Sequence, residues 1–202
     1  MITKIKSIKF TIIFLAVWIF NPSDELKAQK EKPSYFFWSA NYMFAKYPQP
    51  LASRTSFALH VPTSTHIPLH LDAFGYYRAW NDLTLIGGVM RIDVDRYSAY
   101  GESLQIESYQ PSISAFHYLD GQVGSGLFVR GDVGPAFLRV YSGDRRTETT
   151  NFGWGYLLGT GASMTLRSVT VLTSFNYAYK SFHGKIYQFF SMGLGVMIKK
   201  TR

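Results

Sequence analysis

FGWGYLLGTGASMTL, residues 152–166, decides the fold. Phe152, Trp154, Tyr156, Leu158, Thr160, Ala162, Met164 and Leu166 form one mostly bulky, apolar row, and Gly153, Gly155, Leu157, Gly159, Gly161, Ser163 and Thr165 form a mostly small one. Successive side chains of an extended strand point to opposite faces, so this strand has one greasy face and one nearly bare face. Strands of this kind suit a closed barrel with lipid outside and a narrow lumen inside.

The same alternation recurs along the chain. Eight extended runs are expected, at about 35–45, 66–78, 83–94, 106–118, 126–141, 152–166, 169–180 and 186–198. Most reach the roughly 9–11 residues that a tilted strand needs to cross a bilayer. Short connections (79–82, 119–125, 167–168) alternate with mostly longer ones (46–65, 95–105, 142–151, 181–185). Outer-membrane barrels have that pattern, with short periplasmic turns and longer outward loops. Asn81-Asp82 and Asp120-Gly121 supply turn chemistry, and Pro48, Pro50, Pro62 and Pro68 keep the first loop from pairing as a flat edge. Convincing helical periodicity is missing throughout.

The first twenty residues, MITKIKSIKFTIIFLAVWIF, read differently. Lys4, Lys6 and Lys9 precede a run at 10–20 that is apolar apart from Thr11. That run is too short for a spanning helix, which needs about 20 apolar residues, and it matches the core of a secretory signal. Asn21-Pro22 breaks it, and Leu26-Lys27-Ala28 offers a cleavage site. The expected organisation is a signal peptide at 1–28 and one barrel domain at 29–202, both chain ends lying in the periplasm.

Composition agrees. The 202 residues include 16 Phe, 14 Tyr and 4 Trp, and membrane barrels crowd aromatics at the lipid–water boundaries. There is no Cys, so neither a disulfide nor a lipidated cysteine is expected. The net charge of +8 falls to +6 without residues 1–28 and is not gathered into a nucleic-acid face. The expected partners are outer-membrane lipids and lipopolysaccharide, with an envelope protein as a further candidate; nucleic acid and cofactors are not expected.

A soluble lipocalin-type barrel would alternate equally well, with apolar side chains inside. Side-chain size separates the two. A water-facing row would be rich in long charged residues, whereas the polar rows here are Gly, Ser, Thr and Asn with few charges. The few charges that do fall on the non-lipid face, Asp72, Arg78, Arg91, Asp93, Arg130 and Asp132, are expected with His70 to form an ion-paired plug in the lumen. Eight strands leave an interior just wide enough for side chains. Trp154, Tyr156, Leu158, Phe175, Tyr177, Met192, Leu194 and Val196 are expected to face lipid.

On GWGYLLGTGA at 153–162, GDVGPAF at 131–137 and the closing FFSMGLGVMI at 189–198, the chain resembles the small outer-membrane β-barrels of Gram-negative bacteria, the OmpA/OmpX-like group. The resemblance covers 35–199 and implies an all-β, eight-stranded antiparallel up-and-down transmembrane barrel after an N-terminal signal peptide. Members usually close on an aromatic residue, whereas this chain ends Met197-Ile198-Lys199-Lys200-Thr201-Arg202.

Candidate chemistry is thin. Ser181 and His183 flank Phe182. Similar barrels include lipid A deacylases, which use a His-x-Ser pair with a Glu; here the order is reversed and no Glu matches. Their Cβ atoms would stand about 7 Å apart along a strand, and a serine nucleophile needs a base in contact and an orienting acid. A polar loop is the plainer reading. His66 and His70 would lie about 13 Å apart on one strand face and His60 farther off, so no metal site is expected. Asp144-Arg145-Arg146-Thr147-Glu148 reads as a solvated loop tip or a contact with lipopolysaccharide. The function favoured is a non-enzymatic envelope or surface-interaction barrel. A lipid A or phospholipid-modifying enzyme and a narrow channel are the alternatives.

Overall fold

Eight strands pair in chain order, each antiparallel to the next, and the last closes on the first. They are β1 (Ser34–Lys46), β2 (Thr65–Ala79), β3 (Thr84–Ala99), β4 (Glu102–Tyr118), β5 (Gly126–Ser142), β6 (Arg145–Leu166), β7 (Val169–Phe182) and β8 (Lys185–Lys199). One helix, α1 (Leu51–His60), lies between β1 and β2. The computed structural model describes residues 32–143 and 145–200. The segment 1–28 and the side chains of the 144–148 tip, where the sequence placed an export signal and a contact loop, lie outside that description.

The barrel closes because each strand alternates. On β6, Phe152, Trp154, Tyr156 and Leu158 are exposed, while Gly153, Gly155 and Leu157 are buried. The inner glycines make room. A Cβ on Gly155 would collide with the Gln110 side chain, and one on Gly161 would meet the Thr173 carbonyl and the Phe128 ring.

Two expectations about connections are corrected. The 95–105, 142–151 and 181–185 segments are not long loops, so long and short connections do not alternate strictly. β3 and β4 run on to a two-residue turn at Tyr100-Gly101, and β7 and β8 to one at His183-Gly184. In each turn both residues have positive φ (50° and 79°; 48° and 76°), the conformation that matches strand twist and selects Gly at the second position. The strands extend because their inward residues still have a core to enter: Tyr97, Leu104, Ile106, Leu138, Val140, Phe182 and Tyr187 are all buried. Among the described residues, 47–64 form the longest connection, and α1 lies within it. Leu51 and Thr55 are its buried residues and Ala58 packs against the core, a spacing that gives a ten-residue helix one inward stripe.

One register fault matters for function. Asp72 pairs with Arg91 but Phe74 pairs with Met90, so Ala73 is an extra residue in β2. The β1 pairing slips at the same level. A bulge reverses which residues face inward beyond it. His70 and Asp72 point into the barrel, then Gly75, Tyr77 and Ala79 do; Phe74, Tyr76 and Arg78 turn outward.

Candidate functional site

The lumen is filled in layers. At the end where β1 begins and β8 finishes (the terminal end) lies an apolar cluster that includes Phe37, Tyr77, Phe116, Phe128 and Met197. At the opposite end, that of the Tyr100-Gly101 and His183-Gly184 turns (the hairpin end), lies a second, including Met43, Tyr47, Leu51, Leu138, Phe182 and Phe189. Between them is an ionic layer.

Its centre is a four-residue lattice. Arg130 (β5) donates to both carboxylate oxygens of Asp72 (β2), at 2.7 and 2.9 Å, and through Nε and Nη2 to Asp132, at 3.0 and 2.7 Å. Arg91 (β3) donates to Asp132 and, at 3.3 Å, to Gln110 Oε1. Ser39 and Ser114 hydroxyls donate to Asp72 and Asp132. The Arg130 guanidinium also lies over the Phe37 and Phe116 rings, at 5.1 and 5.2 Å, which joins the lattice to the apolar layer below.

Toward the hairpin end a second group forms around Asp93. It accepts from Lys180 and from Ser108, and His70 Nδ1 stands 2.6 Å from its other oxygen. Above that, Asp95 accepts from Tyr47 at 2.6 Å and Tyr97 at 2.8 Å, with His66 Nε2 at 2.6 Å. Arg91 and Lys180 are both 0% exposed. Buried charges persist only when paired and hydrogen-bonded, as these are. Burial, with the Asp95 charge beside it, pushes the Tyr47 hydroxyl well above the ordinary tyrosine range.

Of the seven residues assigned to the lumen, His70, Asp72, Arg91, Asp93, Arg130 and Asp132 are buried inside. Arg78 is corrected: the Ala73 bulge turns it outward, where it is exposed. Sequence reasoning left out Lys180 and Asp95. Lys180 shares its strand's inward row with Asn176 and Ala178, so alternation alone could have added it; Asp95 was hidden in a stretch read as a loop. The two apolar layers were also missed.

The eight residues assigned to lipid all lie on the outer face. Leu158 is 71% exposed and Phe175 63%; Tyr177 is half-buried against Phe190, ring centroids 4.8 Å apart. Ser181 and His183 are not brought together. Ser181 is half-buried near the end of β7, His183 is exposed in the turn, and no hydrogen bond joins them among the described residues. The histidines go to separate partners, His66 to Asp95, His70 to Asp93 and His60 to the Ser56 carbonyl. No group of three His, Cys, Asp or Glu is placed to hold a metal ion among the described residues.

No protein-family model matches the chain, and no curated protein matches its sequence. Solved structures do match. Ail, the attachment invasion locus protein of Yersinia pestis, in complex with the heparin analogue sucrose octasulfate, superposes with a TM-score of 0.56 at 10% identity, over 84% of this chain and 100% of that one. The structure of Ail without that compound named gives 0.55 at 10%, with the same coverage. Neisserial surface protein A gives 0.44 at 18%, over 83% and 97%. The chain has the fold of Ail, a closed eight-stranded antiparallel β-barrel, the fold of small outer-membrane barrels.

Proposed function

We propose that this chain, folded as the small outer-membrane barrels are, is itself an integral outer-membrane protein that works through its surface, with neither a pore nor a catalytic centre. The observation that carries the reading is inversion. Side chains on the outside are apolar and those in the middle of the inside are ionic. On β5 the outward row runs Leu127, Val129, Gly131, Val133, Pro135, Phe137 before Arg139 ends it. The ten steps from Leu127 to Phe137, at about 3.4 Å each and inclined about 40°, span about 26 Å, close to the apolar band of outer-membrane barrels. In water such a belt would be an unmet apolar surface; in a bilayer it is the contact surface.

The layered lumen supports the absence of a pore, since an ion would have to pass two apolar layers and a neutralised lattice. Segment 1–28 would serve as the export signal. Both termini would lie in the periplasm, leaving the hairpin end outward. There Lys46, Arg54, Arg96 and Lys185 are exposed against the exposed Glu102, a basic rim suited to anionic sugar phosphates of lipopolysaccharide.

The test is fractionation of cells producing the full chain, followed by reconstitution. The expected results are outer-membrane recovery resistant to alkaline extraction, gel migration that shifts on heating, and no steady current in planar bilayers. A monomer that stays dissolved without detergent overturns the membrane reading. A stable ohmic current overturns the closed lumen.

A further inference from the structure

On the outer wall the register sets side chains in rows. Leu158, Tyr177, Phe190 and Phe44 are successive cross-strand partners and form one row. Thr160, Phe175 and Met192 form the next, toward the terminal end. Between the rows runs a mostly apolar trough of about 470 Å³ floored by the backbone of Gly159, Asn176 and Ser191. Thr160 is the low point of its wall, because its hydroxyl turns aside to donate to the Phe128 carbonyl at 3.1 Å. The trough crosses the strands at right angles, so strands inclined about 40° set it roughly 50° from the membrane normal. An extended alkyl chain can lie along it.

The rim beyond the trough is polar. The next outward residues on β7, β8 and β1 are Tyr179, Gln188 and Lys46, with Gln188 directly opposite both Tyr179 and Lys46. They stand about 7 Å farther toward the hairpin end. Lys46 has no carboxylate partner among the described residues. On β8 only Phe190 separates Gln188 from the trough, whereas Met192, Leu194, Val196 and Ile198 continue the apolar row on the other side. The trough therefore belongs to the leaflet at the hairpin end.

We infer that this trough and rim hold one molecule of phosphorylated acyl glycolipid of the lipid A type, an acyl chain in the slot and a phosphate on Lys46, with Tyr179 and Gln188 as hydrogen-bonding neighbours. The inference rests on the membrane reading above and adds the site. An ammonium with no carboxylate partner among the described residues, above a mostly apolar trough, matches a lipid bearing a phosphate near its chains, and the hairpin-end leaflet is the glycolipid leaflet in the proposed orientation.

The experiment uses the full chain reconstituted in phosphatidylcholine bilayers doped with either lipid A or phosphatidylglycerol. Native mass spectrometry after transfer to mild detergent counts the lipids retained. One lipid A per barrel is expected, with little phosphatidylglycerol. Lys46→Glu, and separately Thr160→Trp, which fills the slot, should each lower retention about tenfold while keeping the heat-dependent gel shift; should Thr160→Trp fail to fold, Lys46→Glu decides. Equal retention of phosphatidylglycerol, or unchanged lipid A retention in the folded variants, overturns the site. A barrel that inserts but retains no lipid overturns this inference alone, and a chain that does not insert overturns the membrane reading instead.

Discussion

Arg130 and Asp72, 58 residues apart in sequence, meet through two parallel hydrogen bonds of 2.7 and 2.9 Å in the middle of the barrel. The fork is bidentate, the strongest arrangement available to this pair, and both side chains are buried. Removing Asp72 alone leaves Arg130 with one carboxylate that it must share with Arg91. Asp72→Leu should cost about 3–5 kcal/mol in a urea titration of the folded barrel followed by tryptophan fluorescence. Asp72→Leu combined with Arg130→Met should recover most of that, because Arg91 and Asp132 remain as a balanced pair. Arg78→Ala, on the outer surface, should change stability by no more than about 0.5 kcal/mol.

The Tyr47 hydroxyl latches the α1 connection onto Asp95 at 2.6 Å. Burial and the Asp95 charge raise its pKa, so folding favours the protonated phenol. The sign follows: the stabilisation is complete below the ordinary tyrosine value near 10, and it is lost as pH rises from there through the raised value. Proteolytic cleavage within residues 48–63 should accelerate as pH rises above about 10, the onset of that loss. Tyr47→Phe should cleave faster at neutral pH and lose this pH dependence.

Pro111 and Pro135 weaken one seam of the wall. Tyr109 faces Phe137 and Ile113 faces Val133, and between those pairs the β4–β5 ladder is interrupted. That register sets Pro111 opposite Pro135. The Pro111 carbonyl lies so close to Gly134 that a Cβ there would overlap it, which places the carbonyl on the β5 side. Neither proline has an N–H to give. Pro135→Val restores a donor opposite that carbonyl and should raise the unfolding free energy by about 1 kcal/mol and slow amide exchange along β4 and β5. An unchanged midpoint would show that the seam is already satisfied.

Ser181→Ala and His183→Ala should leave the lipid A mass spectrum of producing cells unchanged, because the two side chains occupy different environments and share no hydrogen bond among the described residues. Loss of a deacylated species in either variant would restore the enzyme reading.

Alternation made β6, β7 and β8 legible because each opposes bulky residues to Gly, Ser or Asn, a contrast with one solution. β2 was legible only to Asp72. Beyond it, Ala73-Phe74-Gly75-Tyr76-Tyr77 offers an aromatic in either phase, and the bulge is fixed by pairing with β1 and β3, which a single strand does not encode. The extension of β3 and β4 to Tyr100-Gly101 was hidden for a related reason. Asp95, Arg96, Ser98, Gly101, Glu102 and Ser103 look like a polar loop until Tyr97, Leu104 and Ile106 find a shared apolar layer inside. The helix Leu51–His60 presents too short a stripe to stand out from its proline-rich surroundings.

The ionic layer also constrains assembly order. Asp93 on β3 receives its ammonium from Lys180, 87 residues later on β7, and Asp72 waits on β5 for its guanidinium. The β2–β3 pair buries Asp72, Asp93 and Asp95 with Arg91, whereas the β7–β8 pair buries Lys180 with no acid of its own. A sheet arrested before its seventh strand leaves Asp93 with Ser108 and His70 but without its ammonium, so full pairing of these charges and sealing of the ring coincide, and a misregistered intermediate forgoes the very contacts that stabilise the finished barrel.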